Sequence, residues 1–140
     1  MEMEVGGVIY PIPMKHLELL RTRNDPAYIK YLTQKTNLFL KEGHYVLFYV
    51  TKKEKSILSY SKVKKICFLS PEQIIENKLG NIQMNKEDFE EYTSNRKTKP
   101  LFFLELEKIY NFEAPVFLNY PITMTGKRIF KGELDKIIKK

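Results

Sequence analysis

Six consecutive residues, Tyr45-Val46-Leu47-Phe48-Tyr49-Val50, carry no charge and no small polar side chain. A β-strand turns successive side chains to opposite faces, so a run that is apolar at every position must be covered on both sides. The run has the length of a strand and is rich in aromatic and β-branched residues. Gly43 precedes it and Lys52-Lys53-Glu54-Lys55 follows it, which marks a turn at either end. A chain that contains it needs a central strand with neighbours on both edges and a layer on both faces. At 140 residues there is enough chain for one domain of that kind.

The flanking sequence supplies the neighbours. VGGVIY (5–10) reads as a first strand, with Gly6-Gly7 marking a bulge or a close approach of another backbone. Pro11 and Pro13 end it, and Pro13 opens a short helix to Arg21 with Met14, Leu17 and Leu20 on one face. AYIKYL (27–32) alternates, with Tyr28, Lys30 and Leu32 on one side and Ala27, Ile29 and Tyr31 on the other. Beyond the KKEK loop, SILSYSKVKKICF (56–68) returns with Leu58, Tyr60, Lys62 and Lys64 on one face. Ile57, Ser59, Ser61 and Val63 take the other. LFFLELEKI (101–109) sets Phe102, Leu104 and Leu106 against Phe103, Glu105 and Glu107. A last strand is expected at about 115–118, and GELDKIIKK closes the chain as an amphipathic helix.

Two helices between these strands carry clear start signals. Ser70 is an N-cap, Pro71 suits the first turn and Gln73 completes a capping box, with Leu69 and Ile74 at staple spacing and Gly80 as a stop. Asn85 caps the second, acidic residues fill its first turn, Met84 can staple Phe89, and Arg96 sits at its negative end. The order β-α-β-β-β-α-α-β-β-α predicts an α+β fold: a small, bent antiparallel or mixed β-barrel with helices packed outside.

The formal net charge is +7. Residues 1–70 hold twelve Lys and Arg against six Asp and Glu, and residues 71–140 hold twelve against eleven. A field concentrated in one half suits a polyanion such as RNA. Twenty of the 24 cations are lysine, which favours point contacts over bidentate ones. No apolar run approaches a membrane span, and MEMEVGGVIYPIP lacks the basic start of a secretory signal. Cys67 is the one cysteine. It excludes an internal disulfide, reads as a small buried hydrophobe, and with the other features points to a cytosolic protein. Two histidines, His16 and His44, and one cysteine give no zinc-ligand spacing, and no phosphate loop or nucleophile elbow is present. No metal or cofactor is expected, and the oligomeric state is left open.

Several segments taken together resemble a known superfamily. These are VIYPIPMKHL, LKEGHYVLFYV, the strand with KVKKI, the helix ending EDFEEYTSNRK, LFFLELEKIY and YPITMTGKRI. The set resembles PUA-like domains, near the ASCH and EVE branches, and is most similar to an uncharacterised, mainly archaeal family of unknown function. The resemblance spans nearly the whole chain. It implies a curved pseudo-barrel of a kind whose relatives bind RNA, some of them by holding one modified base in an aromatic pocket. The chain has no tryptophan, so any stacking must come from Tyr or Phe. The Gly-x-Lys-x-x-Glu-x-Arg pattern of many ASCH members is not evident.

Nucleic-acid contact calls for cations, flat rings and hydroxyls on one surface. NYPITMTGKRIF (119–130) offers Tyr120, Thr123, Thr125, Lys127 and Arg128 around Gly126, either as a solvated turn or as a pocket rim. The expected cleft combines Lys30, Tyr49, Tyr60, Lys62, Thr123, Thr125 and Arg128, with Lys15, Lys64, Arg96 and Lys127 on a phosphate-contacting rim. An alternative follows from small ASCH proteins that are amidohydrolases on acylated pyrimidine nucleosides: Lys30 and Thr33 stand three apart, as base and nucleophile would. A protein-interaction role is the third reading.

Overall fold

The computed structural model of the chain describes residues 4–31 and 40–138. Among them lie β1 (Val5–Ile12), α1 (Met14–Arg21), β2 (Ala27–Lys30), β3 (Tyr45–Val50) and β4 (Ser56–Leu69). They are followed by α2 (Pro71–Asn77), α3 (Lys86–Thr93), β5 (Leu101–Leu106), β6 (Tyr110–Val116), β7 (Lys127–Phe130) and α4 (Lys131–Ile138). No helix among the described residues is long and apolar enough to cross a membrane.

Hydrogen-bonded neighbours run β2-β5-β4-β3-β1-β7, and β6 joins β4 off this path. The apolar run that became β3 lies between β4 and β1, where both its edges are used. The β1–β3 pair is parallel and the others are antiparallel, so the sheet is mixed and the class is α+β. Gly7 opposes Tyr45, and a side chain there would run into the Tyr45 backbone. The register of β1 also shifts between Val5 and Gly7. Bulge and close approach are both present.

The expected barrel is not closed by strand pairing: among the described residues the path ends at β2 and β7. Side chains span the gap between β2 and β1. The Tyr10 and Tyr28 rings stack 5.3 Å apart, and the Tyr28 hydroxyl donates to the Pro11 carbonyl at 3.3 Å. The free edge of β2 is occupied as well. Ile29 exchanges two hydrogen bonds with the Gln83 side-chain amide, and the Ala27 N–H donates to the Asn81 carbonyl. An edge paired in this way cannot template another strand.

β4 turns the sheet. Its first half pairs with β3 and its second half with β5, and the register shifts between Val63 and Lys65, as expected of a strand that changes direction at a bulge. A second irregularity makes Leu58 an extra residue: Phe48 opposes Ser59 while Tyr49 opposes Ile57. This inverts the expected alternation at the start of β4. Ile57 packs in the outer cluster, whereas Leu58 packs against the inner one.

Three apolar clusters result among the described residues. The inner one takes side chains from β1 to β5 and includes Tyr10, Tyr28, Phe48 and Phe102, with Leu17 and Leu20 of α1 at one end. So α1 belongs to the inner core rather than to an outside layer. The α2 and α3 residues Ile74 and Phe89 cover the outer side of β2 and β5. The α4 residues Leu134 and Ile137 cover the outer side of β1, β3 and β7. Both helix starts in the middle of the chain form as read: Ser70 and Gln73 make the reciprocal capping box, and the Asn85 side chain accepts from the Asp88 N–H.

The C-terminal third differs from the sequence reading. β5 ends at Leu106, and the Ser61 hydroxyl meets the Glu107 and Lys108 carbonyls across the break. The chain then rejoins β4 as β6, starting at Tyr110 rather than near 115, and β7 is an additional strand at 127–130. β6 is mostly exposed on both faces, so it shows no period-two pattern to read.

Candidate functional site

The last residue of β2 places the first functional side chain. Tyr28 and Lys30 share a face of β2, and Tyr28 is in the inner cluster. Lys30 therefore points toward β1, where its ammonium lies 5.5 Å from the centroid of the Tyr10 ring and donates to the Met124 carbonyl at 2.5 Å. Burial lowers the pKa of the Lys30 amine, because desolvation disfavours the charged form. The Tyr10 side chain is fully buried and its hydroxyl has no hydrogen-bond partner among the described residues. Burial raises its pKa, so it is a neutral donor at physiological pH.

The loop before β7 closes over this pair. Gly126 N–H donates to the Thr123 carbonyl at 2.9 Å, which makes 123–126 a tight turn. Gly126 has φ +83, and a Cβ there would stand 2.7 Å from Tyr10 Cδ1 and 2.8 Å from the Ile9 carbonyl oxygen. Both backbone angle and space demand glycine. The exposed Thr123 and Thr125 hydroxyls lie 3.0 Å apart, flanking the carbonyl that Lys30 holds. Arg128 opposes Val8 across the β1–β7 ladder, so it lies on the face of β1 that carries Tyr10. Its guanidinium is 5.8 Å from the Phe130 ring centroid. Lys30 and the turn that carries Thr123 and Thr125 thus meet over the Tyr10 ring, and Arg128 follows on the same face of β1 beside Phe130.

Tyr49 and Tyr60 are not part of this group. Both pack against the outer cluster, on the other side of the sheet. There the Tyr60 ring has its centroid 6.0 Å from Tyr45, 5.5 Å from Tyr110 and 4.9 Å from Phe112. Lys62 Nζ lies 5.4 Å from the Tyr45 centroid, and Lys108 Nζ lies 5.8 Å from that of Tyr110. Tyr120 and Lys127 form a third arrangement: the Lys127 ammonium is 5.1 Å from the Tyr120 centroid, and the Tyr120 hydroxyl donates to the Glu133 carboxylate at 2.7 Å.

Of the remaining expected cations, Lys15 and Arg96 have structural partners. Lys15 pairs with Asp88 at 3.1 Å, and that hydrogen bond holds the Asp88 carboxyl below its usual range. The Arg96 guanidinium lies against the paired Tyr31 and Tyr92 rings, 4.1 and 5.0 Å from their centroids, and donates to the Tyr92 carbonyl. Lys64 lines a pocket with Asp25, Lys78 and Glu105 at the other end of β2 from Lys30. Thr33 lies outside the described residues. Among those residues no group of three or more His, Cys, Asp and Glu side chains is placed to hold a metal. Ser59 and Ser61 are buried in the inner core: Arg21 donates to Ser59 Oγ, which donates to Asn111 Oδ1. They serve packing.

The family model described as "Domain of unknown function (DUF365)" matches residues 5–131. The chain belongs to the DUF365 family. Its fold is that of ASCH proteins in solved structures. The crystal structure of ASCH from Zymomonas mobilis superimposes with a TM-score of 0.78 at 10% identity, covering 96% of this chain and 94% of that one. A Ser-to-Ala variant of the Zymomonas mobilis protein gives 0.79 at 10% identity, over 99% and 98% of the two chains. A Tyr-to-Phe variant gives 0.78 at 9%, over 96% and 97%. Identity this low conveys the fold alone. No curated protein matches the sequence. Within this DUF365 chain, the sequence reading missed Tyr10, Tyr45, Lys108, Tyr110 and Phe112. Tyr10 is hidden in a strand that reads as core, although a glycine in left-handed conformation just before a short strand is a sign of close packing against a ring.

Proposed function

We propose that this DUF365 domain is a cytosolic RNA-binding module of the PUA-like kind. Its contact site is the mouth between β2 and the 123–126 turn. The observation that carries the reading is the Lys30 ammonium, held half-buried over the Tyr10 ring and against the Met124 carbonyl. A cation kept partly dry beside a ring and two exposed hydroxyls matches a phosphate and a base edge arriving together. Thr123 and Thr125 supply donors and acceptors for the base, and Arg128 supplies a second cation on the same face. The net charge of +7 draws the polyanion in.

Titrating the protein with a fluorescently labelled RNA stem-loop at rising salt tests this. Affinity should fall steeply, with a log–log slope of several counterions. Lys30→Met should weaken binding at least about tenfold, since a hydrogen bond to a charged group is worth about 1.5–3 kcal/mol. A flat salt response, or a Lys30→Met protein that binds as tightly as the wild type, would exclude the proposal.

One observation favours a second reading. The lowered pKa of Lys30 makes its neutral amine more available as a base, as the amidohydrolase alternative requires. Incubation with N4-acetylcytidine and detection of released cytidine decides this. Turnover that persists unchanged in Lys30→Met removes Lys30 from the chemistry.

A further inference from the structure

The outer face of the sheet carries a second ring-and-cation surface, which the Lys30 site does not use. Tyr60 is at its centre. Tyr110 stacks on it at 5.5 Å with planes 24° apart, Phe112 tilts against it at 4.9 Å, and Tyr45 adjoins at 6.0 Å. Tyr110 stays 47% exposed, so one face of the ladder is open to solvent. The ladder continues into a cavity of about 490 Å³ between β6 and α4, walled by Tyr60, Phe112, Asn111 and Lys136. The ammoniums of Lys62 and Lys108 sit near Tyr45 and Tyr110, the rings at the two ends of the ladder.

A purely structural role accounts for the contact of Tyr60 with Phe112, which fixes β6 to β4. It does not account for a half-exposed tyrosine stacked on the outside of that contact, nor for lysines at both ends. Exposed aromatic surface costs free energy in water unless it meets a partner. The partner that suits rings flanked by cations is one that alternates flat π-faces with negative charges. That description fits an unpaired nucleic-acid strand: bases stack on aromatic side chains whatever their identity, while lysines track the phosphates.

We propose that Tyr60, Tyr110 and Phe112, with Lys62 and Lys108, form a stacking platform for one or two unpaired bases of a single-stranded RNA. This inference rests on the RNA reading above for the class of ligand, but places the contact on the opposite face of the sheet. It predicts two separable binding contributions. The mouth at Lys30 reads a base edge, and the platform takes unstacked bases without regard to sequence.

The test uses the full chain and a labelled twelve-residue oligouridylate, which has no structure of its own. Tyr110 is the residue to change because it is half-exposed. Tyr110→Ala should weaken binding at least about fivefold, the low end of what one base–aromatic stack contributes. Tyr110→Phe should restore it. Tyr110→Leu, which keeps the apolar cover over Tyr60 but offers no π-face, should behave like alanine. Lys108→Ala should lower the salt slope by about 0.7, the single-strand value for one phosphate contact. The chain has no tryptophan, so the quenching of tyrosine emission on oligonucleotide addition that is lost in Tyr110→Leu reports the stack. Equal affinity of the wild type, Tyr110→Ala and Tyr110→Leu would overturn the platform and leave the mouth to be judged on Lys30→Met. A Lys30→Met protein that binds the stem-loop normally, together with a Tyr110→Ala protein that loses oligouridylate, would support the platform and overturn the mouth. Failure of the wild type to bind oligouridylate at low salt would overturn the platform outright.

Discussion

The two faces of this sheet hold the same residue types in opposite circumstances. At the mouth, one lysine is pressed against one buried tyrosine and a backbone carbonyl, beneath a turn that only glycine can complete. On the outer face, two lysines flank a ladder of partly exposed rings beside an open cavity. Burial makes the difference. A desolvated cation interacts strongly and gives up its proton at a lower pH than an exposed one, so the mouth is a precise contact of few atoms. A wet ladder gains from area and tolerates any base. Composition and charge alone cannot tell these apart.

The sharpest way to break the comparison is at Gly126. Gly126→Ala forces a left-handed conformation on a residue with a Cβ, and pushes that Cβ toward Tyr10 Cδ1 and the Ile9 carbonyl. Such a conformation costs about 1–3 kcal/mol before any clash is counted. The clash can be relieved only by moving the turn away from Lys30. The melting temperature should fall by several degrees, at about 3–4 °C per kcal/mol for a chain of this size. Stem-loop binding should fall with it, while oligouridylate binding to the outer ladder should survive below the melting point. Equal loss of both would mean that the two faces are not separable.

A smaller effect separates the sites by pH. The folded-state pKa of Lys30 is below its ordinary value. Between the two values the unfolded chain binds the extra proton, so the Lys30 contribution to stability improves as pH rises through that window. Binding runs the other way. The ammonium is lost as pH climbs through the lowered pKa, so stem-loop affinity should decline at a pH below the usual lysine range near 10.4. Lys30→Arg, charged throughout, should flatten the decline; Tyr110→Leu should leave it unchanged. A Lys30→Arg profile identical to the wild type would show that another group sets the pH response.

How much of this was legible varies with the range of the interaction. Ser70 with Gln73, and Asn85 with the Asp88 N–H, are contacts between residues three apart, so the sequence displays them directly. The alternation of β2 and β5 was also legible, because one face of each packs in the inner core and the other under α2 and α3. The inversion at Leu58 was not, since an extra residue in β4 is fixed by pairing with β3 and β6. Nor was the division of the cations. Lys30 and Lys62 both alternate with tyrosines along their strands, yet the curl of the sheet sends one inward and the other outward. The turn that carries Thr123 and Thr125 closes on the ring of Tyr10, more than a hundred residues away in the chain. Proximity of that kind is a property of the closed gap between β1 and β2 rather than of any local pattern.

The smallest expected effect belongs to Ser70→Ala, on the side of the sheet that neither site uses. Ser70 Oγ accepts from the Gln73 N–H at 3.2 Å, and Gln73 Oε1 accepts from the Ser70 N–H at 2.8 Å. Loss of the cap should cost about 1 kcal/mol, read as a modest shift in the denaturant midpoint at unchanged slope. The helix it starts packs Ile74 into the cluster outside β2 and β5, while Lys30 and the Tyr60 ladder face elsewhere. Both RNA affinities should therefore match the wild type once the protein is folded. This makes the variant a measure of what stability alone does to binding. If Ser70→Ala weakened the stem-loop or oligouridylate complex as much as Lys30→Met or Tyr110→Ala does, the losses in those variants would reflect a loosened fold, and neither face could be credited with the contact.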